Sequence, residues 1–197
     1  MRLPRLVTTI ASLSLLTACV STDPSGRPRT IQVRQTELYT NAFSRFVFPP
    51  RVAGFDRDEE VTYYDGIGQD IGVSYAHFDP RILVTAFVYP VFRQPPDDTL
   101  AGHFSTCKAQ VIRAHSGAQT EAEQGVEISP GGVQHGGRHA AFTYADMFAE
   151  RLQPLRSELF LFTHGERFIK YRVTYPADQR ERVQQAIRAF TSELAWP

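Results

Sequence analysis

Residues 153–176 read Gln-Pro-Leu-Arg-Ser-Glu-Leu-Phe-Leu-Phe-Thr-His-Gly-Glu-Arg-Phe-Ile-Lys-Tyr-Arg-Val-Thr-Tyr-Pro. Two runs, Gln153–Thr163 and Arg167–Tyr175, flank the connection His164-Gly165-Glu166. Its glycine stands at the first central position of a two-residue type II′ turn, where the backbone needs a positive φ. Pro176 has no N–H to give to a ladder and closes the second run. The stretch predicts an antiparallel hairpin.

Toward the N-terminus the period of two continues. Val61–Asp65 is followed by a Gly66-Ile67-Gly68 turn, and then Ile71, Val73, Tyr75 and His77 alternate with Gly72, Ser74 and Ala76. After an Asp79-Pro80 turn, Ile82–Tyr89 is almost continuously apolar, as a central strand buried on both faces would be, and Pro90 ends it. Leu100, Phe104, Cys107, Val111 and Ala114 then recur at helical spacing behind Pro95-Pro96-Asp97-Asp98, an acidic start suited to a helix N-terminus. Val126–Ser129 and Arg138–Ala145 read as strands on either side of a glycine-rich loop, Pro130–Gly137. Past the hairpin, Val183, Ile187, Phe190 and Leu194 form one stripe of a helix from Ala177 to about Leu194. Strands, helix, strands, helix predict the α+β class: a mostly antiparallel sheet of about six strands covered by helices.

The first 18 residues have a different layout. Arg2 and Arg5 precede a leucine-rich run, Leu6–Leu16, diluted by Thr8, Thr9, Ser12 and Ser14, which is the pattern of a secretory signal peptide. The run is too short for a membrane span, which needs about 20 predominantly apolar residues, and Ser21, Thr22 and Asp23 follow it closely. Leu16-Thr17-Ala18-Cys19 resembles the lipobox of bacterial lipoproteins. The resemblance implies cleavage before Cys19, a diacylglycerol thioether on its sulfur and an acyl chain on its new amino group, which anchor a protein without spanning the bilayer. Val20, standing where an Asp would resemble an inner-membrane retention signal, favours the periplasmic leaflet of the outer membrane.

Residues 19–42 are expected to be the lipidated cysteine and a flexible tether, since Ser21–Thr36 carries Pro24, Gly26, Pro28 and three arginines with only Ile31 and Val33 as sizeable apolar groups. Residues 43–197 are expected to be a single α+β domain, entered through Phe43, Phe46, Val47 and Phe48 before Pro49-Pro50. With 42% hydrophobic residues, 14 Phe and 8 Tyr, that body is large enough to bury one core. Apart from Cys19 its one thiol is Cys107, so no disulfide staples it. Cleavage leaves 19 basic residues against 21 acidic, and the one dense basic pair, Arg27 and Arg29, lies in the tether. This balance excludes nucleic acid as a partner.

Phe48-Pro49 with Gly54-Phe55, the Tyr75 strand, Tyr89-Pro90, Tyr171–Pro176 and the terminal Phe190, Leu194 and Trp196 resemble uncharacterised bacterial secreted proteins related in outline to the PsbP-like α/β/α sandwich. The likeness runs from Phe43 to Pro197. It implies an antiparallel sheet with helices on both faces and an accessory or assembly role. Its motifs are turn and packing motifs, and they bring no catalytic residue to this chain.

Several constellations have the right residue types for chemistry and the wrong completeness. His135 and His139, and His103 and Cys107, each stand four apart, but a zinc site takes three or four protein ligands. Cys107 sits in the apolar stripe and is expected to be inert core. Ser74 lies within a strand without the second glycine of a nucleophile elbow. Gly66-Ile67-Gly68 opens no helix, and Gly131-Gly132 with Gly136-Gly137 precedes a strand, so both read as turns. Asp56, Asp58, Glu59 and Glu60 lack the regular spacing of a calcium loop and read as a solvated acidic turn. No catalytic, cofactor or metal residue is assigned; the one assigned site is lipidation at Cys19. The expected function is non-enzymatic: a lipid-anchored binding, accessory or assembly factor for another envelope protein. The alternative is a small-molecule or metal carrier with an aromatic-lined concavity drawing on Tyr63, Tyr64, Tyr75, Phe87 and Tyr89, and a hydrolase is the third reading.

Overall fold

The hairpin of residues 153–176 lies in the middle of the sheet. The computed structural model describes residues 28–91 and 99–197; Cys19, the signal-peptide residues and Asp97-Asp98 lie outside them. The strands are β1 (Arg29–Gln32), β2 (Tyr39–Thr40), β3 (Val47–Phe48), β4 (Arg51–Val52), β5 (Phe55–Tyr63), β6 (Ile71–Phe78), β7 (Arg81–Pro90), β8 (Gln119–Ile128), β9 (His135–Phe148), β10 (Arg151–His164) and β11 (Arg167–Pro176). Helix α1 (Leu100–Ala114) joins β7 to β8, and α2 (Arg180–Glu193) follows β11. Nine strands form one sheet in the order β1-β5-β6-β7-β11-β10-β9-β8 with β4 added to β5, while β2 and β3 pair on their own. The described pairings are all antiparallel, so the class is α+β.

The connectivity explains why β7 reads as a two-faced strand. After the β5–β6–β7 meander, α1 carries the chain to the far edge, and β8–β11 return by successive short connections until β11 pairs with β7. Along β7, Ile82, Val84, Ala86 and Val88 face one side with Ile169, Tyr171, Val173 and Tyr175 of β11, beneath Val183, Ile187, Phe190 and Leu194. Phe87 and Tyr89 face the other with Phe168, Leu159 and Leu161, beneath Phe104, Cys107 and Val111 of α1. Each helix thus seals one face. The Thr99 hydroxyl caps α1 by accepting from the Gly102 N–H at 3.1 Å.

Four expectations need correction. The sheet is wider than about six strands, because Arg29–Gln32 and Arg51–Val52 both add to β5. The first of these lies in the stretch read as tether: Ile31 and Val33, its two sizeable apolar groups, pack against the core and hold it to the sheet. Strand β5 begins at Phe55 and not at the Val61 read from the sequence, so the acidic run belongs to a bulged strand whose register with β6 shifts between Arg57 and Val61.

The fourth concerns β9 and β10. The sequence ends one strand at Ala145 and resumes at Gln153, yet the ladder continues to Phe148 opposite Arg151. The two-residue turn places Ala149 at φ 53° and Glu150 at φ 65°. Such a turn ordinarily uses Asn or Gly, so the dipeptide carries no turn signature, and the ladder on either side imposes the conformation.

Candidate functional site

The β9–β10 hairpin outruns its neighbours. The β8 ladder meets β9 no further than Gln119 opposite Thr143, and the β11 ladder meets β10 from Leu155 opposite Pro176. Residues 144–148 and 151–154 therefore pair only with each other, as a two-stranded ribbon. One side of the ribbon is fastened to the body. Tyr144 stacks on His115 with ring centroids 3.9 Å apart, Asp146 meets the His115 Nδ1 at 3.1 Å, and Arg81 lies 5.8 Å over the Phe148 ring; within the ribbon, Gln153 donates to the Phe148 carbonyl at 2.8 Å. Burial pulls the His115 pKa below its ordinary value, and the bond to Asp146 only partly opposes this.

The opposite side is apolar and open. Ala145 stands across from Pro154, and Met147 from Leu152. All four are exposed, Met147 to 60% and Leu152 to 73%. Cross-strand apolar neighbours of this kind contribute to sheet stability when covered; here they face solvent as a contiguous patch on a supported ribbon.

Immediately along the same face lies the densest group of buried charges. Alternation along β10 puts Arg156 and Glu158 beside Pro154 on the side that α2 covers. Glu158 accepts from the Tyr175 hydroxyl, from His139 Nε2 at 2.9 Å and from Gln184 Nε2 at 3.1 Å, while Arg156 lies 3.6 Å from it and pairs with Glu121. Burial raises the Glu158 pKa, but the hydrogen bonds from His139 and Tyr175 and the nearby positive charge outweigh it and hold the carboxyl below its ordinary value. Tyr175 is pushed well above the usual phenol range by burial and by the Glu158 carboxylate. The His139 Nδ1 is buried without a hydrogen-bond partner. Three donors from β9, β11 and α2 converge on the carboxylate, an arrangement that ties the N-terminal part of α2 to the sheet.

Sequence candidates fare differently. His139 joins the Glu158 network, whereas His135 stacks against Trp196 at 4.5 Å and His164 at 5.3 Å, so the loop pair does not converge. Cys107 is buried, 3.6 Å from His103 Nε2, which also meets the Tyr89 hydroxyl at 2.8 Å. Ser74 bonds Thr85 across the β6–β7 ladder at 3.1 Å. Asp58, Glu59 and Glu60 are exposed on β5, and Asp56 lies 3.5 Å from Arg51. Among the described residues no group of three or more His, Cys, Asp or Glu could hold a metal ion. Tyr75 is sealed on the α2 side, while Phe87 and Tyr89 are sealed on the α1 side with Tyr64 against them. These aromatics therefore line no common concavity. The ribbon and the Glu158 network were missed: Met147, Leu152 and Pro154 are individually unremarkable, and Glu158 meets His139 and Tyr175 only across strands.

No family model matches the sequence, and no curated protein does. Among solved structures the chain is similar to cyanobacterial PsbP (CyanoP) from Synechocystis sp. PCC 6803, at 10% sequence identity and a TM-score of 0.43, over 84% of this chain and 89% of that one. No helix among the described residues is long and apolar enough to cross a membrane.

Proposed function

We propose that this chain is a lipoprotein of the bacterial cell envelope, anchored through Cys19 at the periplasmic face of the outer membrane, with its body a PsbP-like sandwich. It works without chemistry of its own, as a binding, accessory or assembly factor for another envelope protein. The observation that carries the binding role is the open side of the ribbon, where Ala145, Met147, Leu152 and Pro154 expose a continuous apolar surface on a rigid support. A patch built this way suits the apolar centre of a protein interface, and the exposed Glu121 beside it, held by the buried Arg156, suits the polar rim. The carrier reading has less behind it, since the aromatic side chains nominated for it are spent in two separate cores.

The experiment is photo-crosslinking in living cells from position 152, with exposed position 113 on α1 as the control. One discrete envelope partner crosslinked from 152 and absent from 113 is the expected result. An identical or empty pattern from both positions rejects the ribbon as an interface. Anchoring is tested separately: Cys19→Ser abolishes fatty-acid labelling and releases or misprocesses the protein. A variant that is still mature, labelled and detergent-requiring overturns the lipoprotein assignment.

A further inference from the structure

A second set of exposed apolar side chains lies at another corner of the molecule. Leu38, Phe43 and Val47 belong to the small β2–β3 unit, and Ile67 to the loop between β5 and β6; they are 65%, 47%, 41% and 53% exposed. In the β2–β3 ladder Tyr39 pairs with Phe48 and Thr40 with Val47. Tyr39 and Phe48 are buried, which leaves Leu38, Thr40 and Val47 on the outer side.

The two loops that carry Phe43 and Ile67 are rigid and joined. The buried Asn41 accepts from the backbone N–H of Phe43 at 3.2 Å and of Ser44 at 2.7 Å, and it donates to the Gly68 carbonyl at 2.9 Å. Asp65 accepts from the N–H groups of Ile67, Gly68 and Gln69 at 3.1, 2.7 and 3.1 Å. Gly68 has φ +101°, and a Cβ there would stand 2.9 Å from the Tyr63 ring. Arg167 fixes the Phe43 carbonyl at 3.0 Å. The fold holds these apolar groups outward.

The N-terminal segment enters at the same corner. Arg29 pairs with Tyr63 and lies 5.7 Å over its ring, and the Tyr63 hydroxyl is 3.2 Å from that of Tyr39. Cys19 precedes Arg29 by ten positions, a reach of at most about 35 Å when extended. A lipid on Cys19 therefore keeps this corner within about 35 Å of the headgroups. The exposed Arg29 and Arg45 add positive charge beside the apolar groups, the combination that suits the interfacial zone of an anionic bilayer.

We infer that the corner formed by Leu38, Phe43, Val47 and Ile67 docks on the phospholipid surface and fixes the orientation of the anchored protein. The inference rests on the reading of Cys19 as the anchor. It turns the β9–β10 ribbon, which lies at the opposite end of strands β9 and β10 from His164, away from the membrane and toward a partner.

The test uses the chain from residue 19 onward, with Cys19 coupled to a maleimide-bearing phospholipid in vesicles of phosphatidylethanolamine and phosphatidylglycerol with brominated acyl chains. Cys107 is buried and does not compete. In a Trp196→Phe background, Phe43→Trp and Leu152→Trp report on the two ends. Bromine quenching of about two-fold or more at position 43 with none at 152 is expected, since an interfacial side chain reaches the acyl boundary, and Leu38→Gln with Ile67→Gln should diminish it. Equal quenching at both positions, or none at 43, overturns the docking face. The comparison is repeated with Trp196 retained and each site read by difference, so that a packing defect from losing that indole does not decide the result. Chemical coupling separates the two claims. Quenching at 43 in a protein that cells do not label with fatty acid supports the docking face and rejects the anchor, while labelling without quenching does the reverse.

Discussion

The two faces of the sheet are covered in different ways. Under α1 the contact is compact: Phe104, Cys107 and Val111 meet Phe87, Tyr89, Phe142, Leu159, Leu161 and Phe168. Under α2 the helix is one part of a broader cover that includes Phe46, Phe48 and Phe55 from the N-terminal pieces. Phe190 there stands 5.0 Å from Phe55, 5.2 Å from Tyr75 and 6.1 Å from Tyr171. That cover reaches β10 at Phe160 and Phe162 and ends at the Glu158 network, beyond which the β9–β10 ribbon is open. The difference teaches that one face works mainly as core, and that the other carries both the larger aromatic core and the surface available for recognition.

The comparison breaks most readily at Phe190. Phe190→Ala removes the ring that joins three aromatic neighbours and should cost about 3 to 5 kcal/mol, read as a lower midpoint in urea and in thermal unfolding. An unchanged midpoint would mean that α2 is not docked. Next comes Glu158→Ala, which leaves Arg156 and the His139 donor facing an empty site; breaking a buried pair costs on the order of 3 kcal/mol. A loss below about 1 kcal/mol would show the network to be solvated.

Acid dependence sharpens the same point. The folded pKa of Glu158 lies below its ordinary 4.5, so its ionised form contributes stability above that value and the contribution is lost as the pH falls through the folded one. Between about pH 5 and pH 3 the wild-type midpoint should therefore fall more steeply than that of Glu158→Gln. Parallel curves would remove Glu158 from the account.

On the α1 side, Cys107→Ala should cost only about 1 kcal/mol, because a small cavity opens in a compact contact, and the native thiol should resist labelling until the protein unfolds. The smallest effect belongs to the ribbon. Leu152→Ser should change stability by no more than about 0.5 kcal/mol while weakening partner crosslinking. A larger destabilisation would mean that the ribbon's open side is covered within the fold.

Much of the fold was legible in one dimension. The 153–176 hairpin, the central position of β7, α1 and the stripe of α2 each follow from a local period, and the Gly165 turn has the expected positive φ of 56°. The β9–β10 turn was illegible because Ala149-Glu150 has none of the usual chemistry, and β1 because four residues with one inward side chain make no period. Where the loop histidines go was illegible for a related reason: His135 and His139 are close along the chain, while the sheet sends one to Trp196 and the other to Glu158.

By itself the sequence determined which segments alternate and which wind, and it carries the lipobox-like run ending at Cys19, because period and short motifs are properties of neighbouring residues. Tertiary structure alone decided that Glu158, His139, Tyr175 and Gln184 meet, that residues 144–154 outrun the strands on either side, and that Phe43 and Ile67 share a corner. These are contacts between distant positions, set by strand register and by where each helix ends. No local pattern encodes them, since each residue involved satisfies its own strand or loop equally well without the others.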